Sequence, residues 1–403
     1  MDTSKKINDR TELGVGMLGY AFMGKAHTNA FLRFPFFFLE TSAAIPKLVA
    51  ICGRSKPEVS KAASRYGYSR YYTDWRKLVQ DEQVDVVDNG LPNNLHAQPC
   101  IEAAENGKHL ICEKPLGMNS KQSRSMLEAA ERAHVKHMVA FNYRFVPAII
   151  LAKQLIGEGQ IGRVLEFRAA YLQEWIMDES FPLVWRLRKS SAGSGVLGDL
   201  GSHMIDLARF LVGEVDSTVG LKETFVKQRP LLADKSPATR RSGEKKAMTS
   251  ARKGRVDVDD IFIALLRFMS GAVGSVEGSR FAAGRKNFAR VEIHGSEGSL
   301  LFNLERLNEL QFYTNRDRED RRGFRTISVT EPVHPFMKSW WPPGHVLGWE
   351  HTLVHEMYHF FNAVARDEPI DPSGATFRDG LRVDQILESI SKSAESGRWE
   401  RAI

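Results

Sequence analysis

Asp199 and His203 stand four residues apart in GDLGSHMIDLARFLVG. The apolar spacing of that run predicts a helix, so the two side chains share a face. A carboxylate in reach of an imidazole fixes its tautomer and raises its basicity. His203 is then a candidate general base, with Asp199 orienting it or contacting substrate. Read alone, the same spacing also fits an ordinary helical histidine with an acid near the helix N-terminus. Lys114 follows the apolar run HLICE, and Pro115 stops the strand that this run predicts. A lysine there stands at the carboxyl edge of a sheet, where ligands sit in open α/β folds. A base together with a cation is what an alcohol oxygen needs when its proton is taken and a hydride leaves its carbon.

A hydride needs an acceptor, and the N-terminus carries two glycine strings that could hold one. Gly14-Val15-Gly16-Met17-Leu18-Gly19 is a complete G-x-G-x-x-G, whereas Gly19-Tyr20-Ala21-Phe22-Met23-Gly24 has alanine at its middle position. A dinucleotide turn needs a strand before it and a helix opening within it. The residues before Gly14 are polar, those before Gly19 are apolar, and Phe22, Met23, Ala26 and Ala30 continue at helical spacing. The imperfect string is therefore the expected phosphate turn, with Gly19, Ala21, Phe22 and Met23 against the cofactor. The second strand ends in Gly53-Arg54-Ser55, with no carboxylate for a ribose 2′-hydroxyl. An arginine beside a hydroxyl suits a 2′-phosphate better, which favours NADP over NAD.

These residues need a scaffold. LGVGML, KLVAICG, VDVVDNG, HLICEK and HMVAFN read as strands of a buried parallel sheet. KPEVSKAASRYG, TDWRKLVQD, HAQPCIEAAENG and SKQSRSMLEAAERAH between them read as helices, with Gly67 and Gly107 at their ends. Beyond residue 142 strand runs dominate, joined by turns at Ser270-Gly271 and Gly295–Gly298. The expected architecture is α/β: a doubly wound Rossmann domain over 1–142, then an α+β domain over 143–403 on a mostly antiparallel open sheet. The last helix, TFRDGLRVDQILESISKSAESG, could pack back on the first domain.

The chain has 403 residues, 42% hydrophobic and 26% charged, with a net charge of +7. Eight basic residues and one acid lie between Lys235 and Arg255, which accounts for the whole excess. This segment reads as a solvated loop; it lacks the interleaved aromatics of a nucleic-acid arm, so no nucleic-acid partner is expected. No run of 18 apolar residues occurs, and the polar N-terminus is unlike a signal peptide. Three isolated cysteines suit a reducing compartment, and the cytoplasm is expected. His351, His355 and His359 recur at helical spacing, but without a supporting carboxylate motif they read as a polar stripe, and no metal is expected. FPFFFLE (34–40) reads as core or subunit packing, and SWWPPGHVLG as a covering loop or oligomer contact.

GYAFMGKAH, LPNNLHA, KHLICEKPLG, AFNYRF and GDLGSH together resemble the Gfo/Idh/MocA family of NAD(P)-dependent oxidoreductases, and the likeness runs to the final helix. Departures are Ala21, Leu91 where the family usually has threonine, and the basic segment 235–255. The resemblance implies one NAD(P) per subunit, a cis Lys114-Pro115 bond, and Lys114, Asp199 and His203 as the catalytic set. Leu91, Pro92, Asn93, His96, Glu113, Lys114, Pro115 and Asn142 would border the cofactor. Like charge from an oxidised nicotinamide would lower the Lys114 pKa, letting it share proton transfer. Polar groups and aromatic platforms for a sugar would come from Tyr143, Arg144, Gln173, Trp175, Trp185 and Arg186, together with the catalytic set. The expected reaction is oxidation of a secondary hydroxyl of a sugar, anhydrosugar or glycoside, with carbon 3 a candidate position. A cyclitol dehydrogenase and a non-catalytic NAD(P)-binding regulator are the alternatives. A homodimer or homotetramer is expected.

Overall fold

Six strands open the structure, a computed structural model that describes residues 10–232 and 249–402. They are β1 (Thr11–Leu18), β2 (Ala44–Cys52), β3 (Arg70–Tyr72), β4 (Val86–Asn89), β5 (His109–Cys112) and β6 (His137–Val139). All pair in parallel in the order β3-β2-β1-β4-β5-β6, the doubly wound order whose switch point lies between β1 and β4. The connecting helices are α1 (Phe22–Phe37), α2 (Lys56–Tyr66), α3 (Trp75–Val79), α4 (Ala97–Glu105) and α5 (Ser120–Arg132). Their ends follow local chemistry. Asp74 and Asn119 cap α3 and α5 by accepting from Arg76 and Gln122 N–H at 3.0 Å each. Gly67 ends α2 at φ 87°, a left-handed conformation that favours glycine.

The second unit begins with α6 (Pro147–Gly157) and contains α7 (Ser202–Leu211). Its nine-stranded sheet uses β7 (Val164–Leu172), β8 (Val215–Glu223), β11 (Ile261–Phe268), β12 (Val273–Ser279), β13 (Phe288–Gly295), β14 (Gly298–Asn303), β15 (Glu309–Thr314), β16 (Arg325–Ser328) and β17 (Glu400–Arg401). The order is β16-β15-β14-β13-β7-β12-β11-β8-β17, antiparallel except where β7 meets β12. The two expected hairpins are β11–β12 and β13–β14. A separate two-stranded ribbon pairs β9 (Gln228–Leu232) with β10 (Thr249–Arg255). This corrects part of the loop expected over 235–255: residues 249–255 form a strand, where they find backbone partners. Residues 235–248 lie outside the described residues.

The compact units are not two consecutive halves. The first runs to Phe145 and takes back Phe336–Pro342 and Leu347–Leu381; the second holds Val146–Pro335, Pro343–Val346 and the residues from Arg382. The reason is aromatic. Helix α8 (Trp349–Ala365) covers the FPFFFLE segment at the end of α1. Phe34 meets Phe361 at 5.4 Å between ring centroids, Phe31 meets Phe361 at 5.6 Å, and Phe38 stacks on Tyr358 at 4.2 Å. Each such buried ring stabilises by about 1.5–3 kcal/mol, so Phe34 and Phe38 of the segment are core, while Phe36 and Leu39 between and beyond them are exposed. Residues Phe377–Leu381 of helix α9 (Phe377–Ser396) belong to this unit too, and the Phe377 N–H meets His137 Nδ1 at 3.0 Å. The rest of α9 serves the second unit, where Ser389 pairs with Thr218 of β8 at 2.8 Å.

Candidate active site

The residues predicted to border the cofactor lie in the first unit. β1 contains Gly14 and Gly16, and neither belongs to a turn: a Cβ at Gly14 would stand 1.8 Å from the Gln83 carbonyl oxygen, and one at Gly16 2.5 Å from Leu78. The turn is Gly19–Gly24. Gly19 has φ 97°, and a Cβ on Gly24 would lie 2.2 Å from the Gly19 carbonyl oxygen. Both therefore require glycine. Ala21 is the residue before α1, where a methyl is accommodated and no side chain caps the helix. A helix N-terminus that no side chain caps is the kind of segment on which a dinucleotide phosphate binds. Gly53 lies against Tyr20, with 2.0 Å between its would-be Cβ and the ring. Arg54 beside it is exposed, and Ser55 precedes α2.

Beyond β4, Asn89 ties the Leu91–His96 loop by donating to the Leu95 and His96 carbonyls at 3.1 and 3.2 Å, and its Oδ1 accepts from the Leu91 N–H at 3.2 Å. His96 is buried. Its Nε2 lies 2.9 Å from Leu91 O and its Nδ1 3.0 Å from Pro115 O, so it clamps this loop to the Lys114 turn. Burial lowers its pKa against the pull of those carbonyls and of Glu113. Lys114-Pro115 is cis.

Glu113 meets a partner that the sequence reading passed over. His27 of α1 is fully buried, with Nδ1 2.8 Å from Asp88 Oδ2 and Nε2 3.1 Å from Glu113 Oε1. Burial opposes a charge on His27, but Asp88 and Glu113 outweigh it and hold the pKa well above the ordinary value. Burial acts the other way on Glu113; His27 and then Lys114 overcome it and hold the carboxyl below its usual range. Three of the remaining predicted residues are buried in this unit. Asn142 donates to Thr352 Oγ1 at 2.8 Å, Tyr143 is buried nearby, and Arg144 reaches Gly374 O at 3.3 Å and Asp379 Oδ1 at 3.5 Å.

The histidine stripe has structural tasks here. His355 Nε2 accepts from Trp340 Nε1 at 2.7 Å, so its Nδ1 donates to Phe145 O at 3.0 Å; burial lowers its pKa to about 3. His351 accepts from the Gly348 N–H, and His359 pairs with Ile370 O. Trp340 also packs on Phe37 at 4.2 Å, which fixes one end of the SWWPPGHVLG loop.

The second unit carries the predicted base. The expected regular helix opens as a π-helical turn, Leu197–Gly201, before α7 begins. Such turns recur at functional sites. Asp259 anchors it: its Oδ1 accepts from Gly195 N–H at 2.9 Å and its Oδ2 from Leu197 N–H at 2.7 Å. An anion at a helix N-terminus is favourable. Asp199 sits inside the widened turn, its side chain 26% exposed, and its Oδ2 accepts from Arg280 Nη2 at 2.7 Å. The Arg280 side chain is 1% exposed and its guanidinium lies 5.2 Å from the Trp175 ring.

His203 is buried, 5.9 Å from the Tyr171 ring. Tyr171 Oη donates to Asn287 Oδ1 at 2.8 Å, and that same oxygen accepts from Gln173 Nε2 at 2.7 Å. Trp175 meets Phe181 edge-on at 5.3 Å, and the loop between them is fixed by buried Arg229, which donates to the Ile176 and Asp178 carbonyls at 2.5 and 2.8 Å. The Arg186 guanidinium lies 4.3 Å from the Trp185 ring centroid. Arg280, Asp259, Tyr171, Asn287 and Arg229 were not anticipated. Only Asp259 carried a local hint, in the acidic VDVDD.

A Rossmann sheet with a glycine turn, and a second unit that carries Asp199 and His203 four residues apart on a helical segment, define an NAD-binding oxidoreductase architecture. The family models agree. Residues 13–141 match the oxidoreductase family with an NAD-binding Rossmann fold, and residues 149–301 match the GFO/IDH/MocA C-terminal domain. The chain belongs to the Gfo/Idh/MocA family of NAD-binding oxidoreductases. It is 45% identical to levoglucosan dehydrogenase of Pseudarthrobacter phenanthrenivorans, over 96% of this chain and 97% of that one. It is 29% identical to the NAD(+)-dependent scyllo-inositol 2-dehydrogenase of Bacillus subtilis, over 72% of this chain and 71% of that one. A solved structure of levoglucosan dehydrogenase in complex with NADH and levoglucosan superposes with a TM-score of 0.90 at 43% identity, covering 97% of this chain and 100% of that one.

Proposed function

We propose that the chain is an NAD(P)-dependent dehydrogenase that oxidises a secondary hydroxyl of a sugar, anhydrosugar or glycoside, with carbon 3 a candidate position. The observation that carries this reading is the presence of Lys114, Asp199 and His203 together in a chain similar to levoglucosan dehydrogenase along nearly its whole length. The nicotinamide, when bound, supplies the hydride acceptor. The chain's own residues handle the proton. His203 takes it from the hydroxyl through a ring nitrogen. Asp199, held by Arg280, keeps a carboxylate beside the base or on the substrate. Lys114 Nζ steadies the oxygen as its charge grows. Gln173 and the Trp175 and Trp185 rings offer a polar rim and an apolar platform, which suits a sugar's hydroxyls and C–H faces.

Arg54-Ser55 and the absence of a carboxylate after β2 favour NADP, while the relatives' NADH complexes favour NAD; one subunit holds one cofactor. The cytoplasm is the proposed location. A homodimer or homotetramer is supported by the outer face of the nine-stranded sheet, where Leu221, Ile263, Leu265 and Val273 are exposed on neighbouring strands. The second reading is a cyclitol dehydrogenase, favoured by the inositol dehydrogenases among the relatives. The deciding experiment incubates a panel of sugars, anhydrosugars and cyclitols with NAD and NADP and follows reduction of each cofactor. Reduction with a pyranose or anhydrosugar is expected. Folded protein that binds NADH yet reduces neither cofactor with any compound would leave a non-catalytic regulator instead.

A further inference from the structure

Three ionisable side chains lie together inside the first unit: His27 on α1, Asp88 on β4 and Glu113 just beyond β5. Burying an ion costs several kcal/mol, and buried ion clusters can often be replaced by apolar residues without loss of stability. Packing alone therefore does not account for this cluster. Its outlet is a single group. Glu113 Oε1 faces His27, and Glu113 Oε2 accepts the Lys114 backbone N–H at 3.2 Å. From the other flank, His96 faces the carbonyls of Pro115 and Leu116 at 3.0 and 3.2 Å. The Lys114 turn is thus gripped on both sides, and the His27 side of the grip starts from the same helix whose first turn forms the phosphate-binding segment.

We infer that His27 is a positioning residue: with Asp88 behind it, it fixes Glu113 and so aims Lys114. The inference rests on the proposed role of Lys114 in the dehydrogenase reaction. His27 stands between the two acids, with Nδ1 2.8 Å from Asp88 and Nε2 3.1 Å from Glu113, so each acid faces one ring nitrogen and the contacts run in a single line to the Lys114 turn.

The test uses the full-length protein and four variants: His27→Leu/Asp88→Leu, Glu113→Gln, the triple combination, and Lys114→Ala. His27→Leu alone would strand Asp88 as a buried charge, so the double variant removes both ions. It should unfold near the wild-type temperature and bind NADH within about threefold of wild type, while kcat falls about ten- to a hundredfold, the scale of a misplaced catalytic group. Glu113→Gln should lower kcat alone but add little in the double background, because both act through one contact chain. A folded double variant with wild-type kcat, or fully additive losses, would overturn the inference. If Lys114→Ala keeps full turnover, the proposed role of Lys114 fails and the inference with it. If Lys114→Ala loses turnover while the double variant does not, only the inference fails.

Discussion

The two units hold their candidate chemical groups by opposite means. In the first, Glu113 before Lys114 is held by a buried cluster in which His27 lies between Asp88 and Glu113, at the carboxyl edge of a parallel sheet. In the second, Asp199 stays partly exposed inside a π-helical turn and is held from beneath by one buried arginine. The first arrangement fixes a backbone turn. The second fixes a side chain and leaves it open to a partner. A dehydrogenase has use for both: the nicotinamide must be seated in one fixed pose each time it binds, whereas the hydroxyl must be reached and give up its proton.

The sharpest way to break this contrast is to delete the proposed reacting group of each unit. Lys114→Ala and His203→Asn should each lower kcat/KM by about 10²–10⁴, the usual worth of a general acid or base. Steady-state kinetics with the best sugar from the panel decide it. A variant that keeps its rate would show that its unit holds but does not react.

Arg280 tests the second unit's device. Arg280→Ala should lower kcat about ten- to a hundredfold and also reduce thermal stability, since it strips a buried partner from Asp199. Arg280→Lys should recover part of kcat. NADH affinity, which rests on the first unit, should not move in either variant. A fall in stability with kcat intact would make Arg280 a fold residue and dissolve the parallel with His27.

The glycine strings sharpen the first unit. Gly16→Ala pushes a Cβ against the Leu78 and Val84 side chains and should cost about 1–3 kcal/mol of stability, as overpacking does, with NADH affinity unchanged. Gly24→Ala drives a Cβ against the Gly19 carbonyl, backbone that cannot swing aside, and should weaken NADH binding as well. Binding titrations and thermal unfolding separate the two. Equal losses of affinity would return the phosphate role to the complete-looking string.

The same contrast explains what the sequence revealed. Strand–helix alternation, the Gly19–Gly24 turn and the Lys114-Pro115 turn are local patterns, and the Rossmann order and the two hairpins follow from such patterns. The His27–Asp88 contact joins residues 61 apart and Arg280–Asp199 residues 81 apart, and no local pattern announces either. Apolar spacing also cannot tell a π turn from an α turn, so Leu197–Gly201 read as ordinary helix. Helix α8 read as helix, but its place in the first unit depends on which aromatic rings of α1 remain uncovered, a tertiary fact.

The smallest expected effect lies at Arg54. It is exposed, so its removal should cost the fold nothing measurable. Its only proposed work is to meet a 2′-phosphate. Hydrogen bonds to a charged group are worth about 1.5–3 kcal/mol when shielded, and less in the open where salt screens them. Arg54→Ala should therefore weaken NADPH binding by up to about tenfold, most strongly at low salt, and leave NADH binding as it was. If the two cofactors respond alike, Arg54 has no part in choosing between them. The tyrosine ring packed on Gly53 then becomes the feature to alter next, because any side chain at residue 53 would meet it at 2.0 Å.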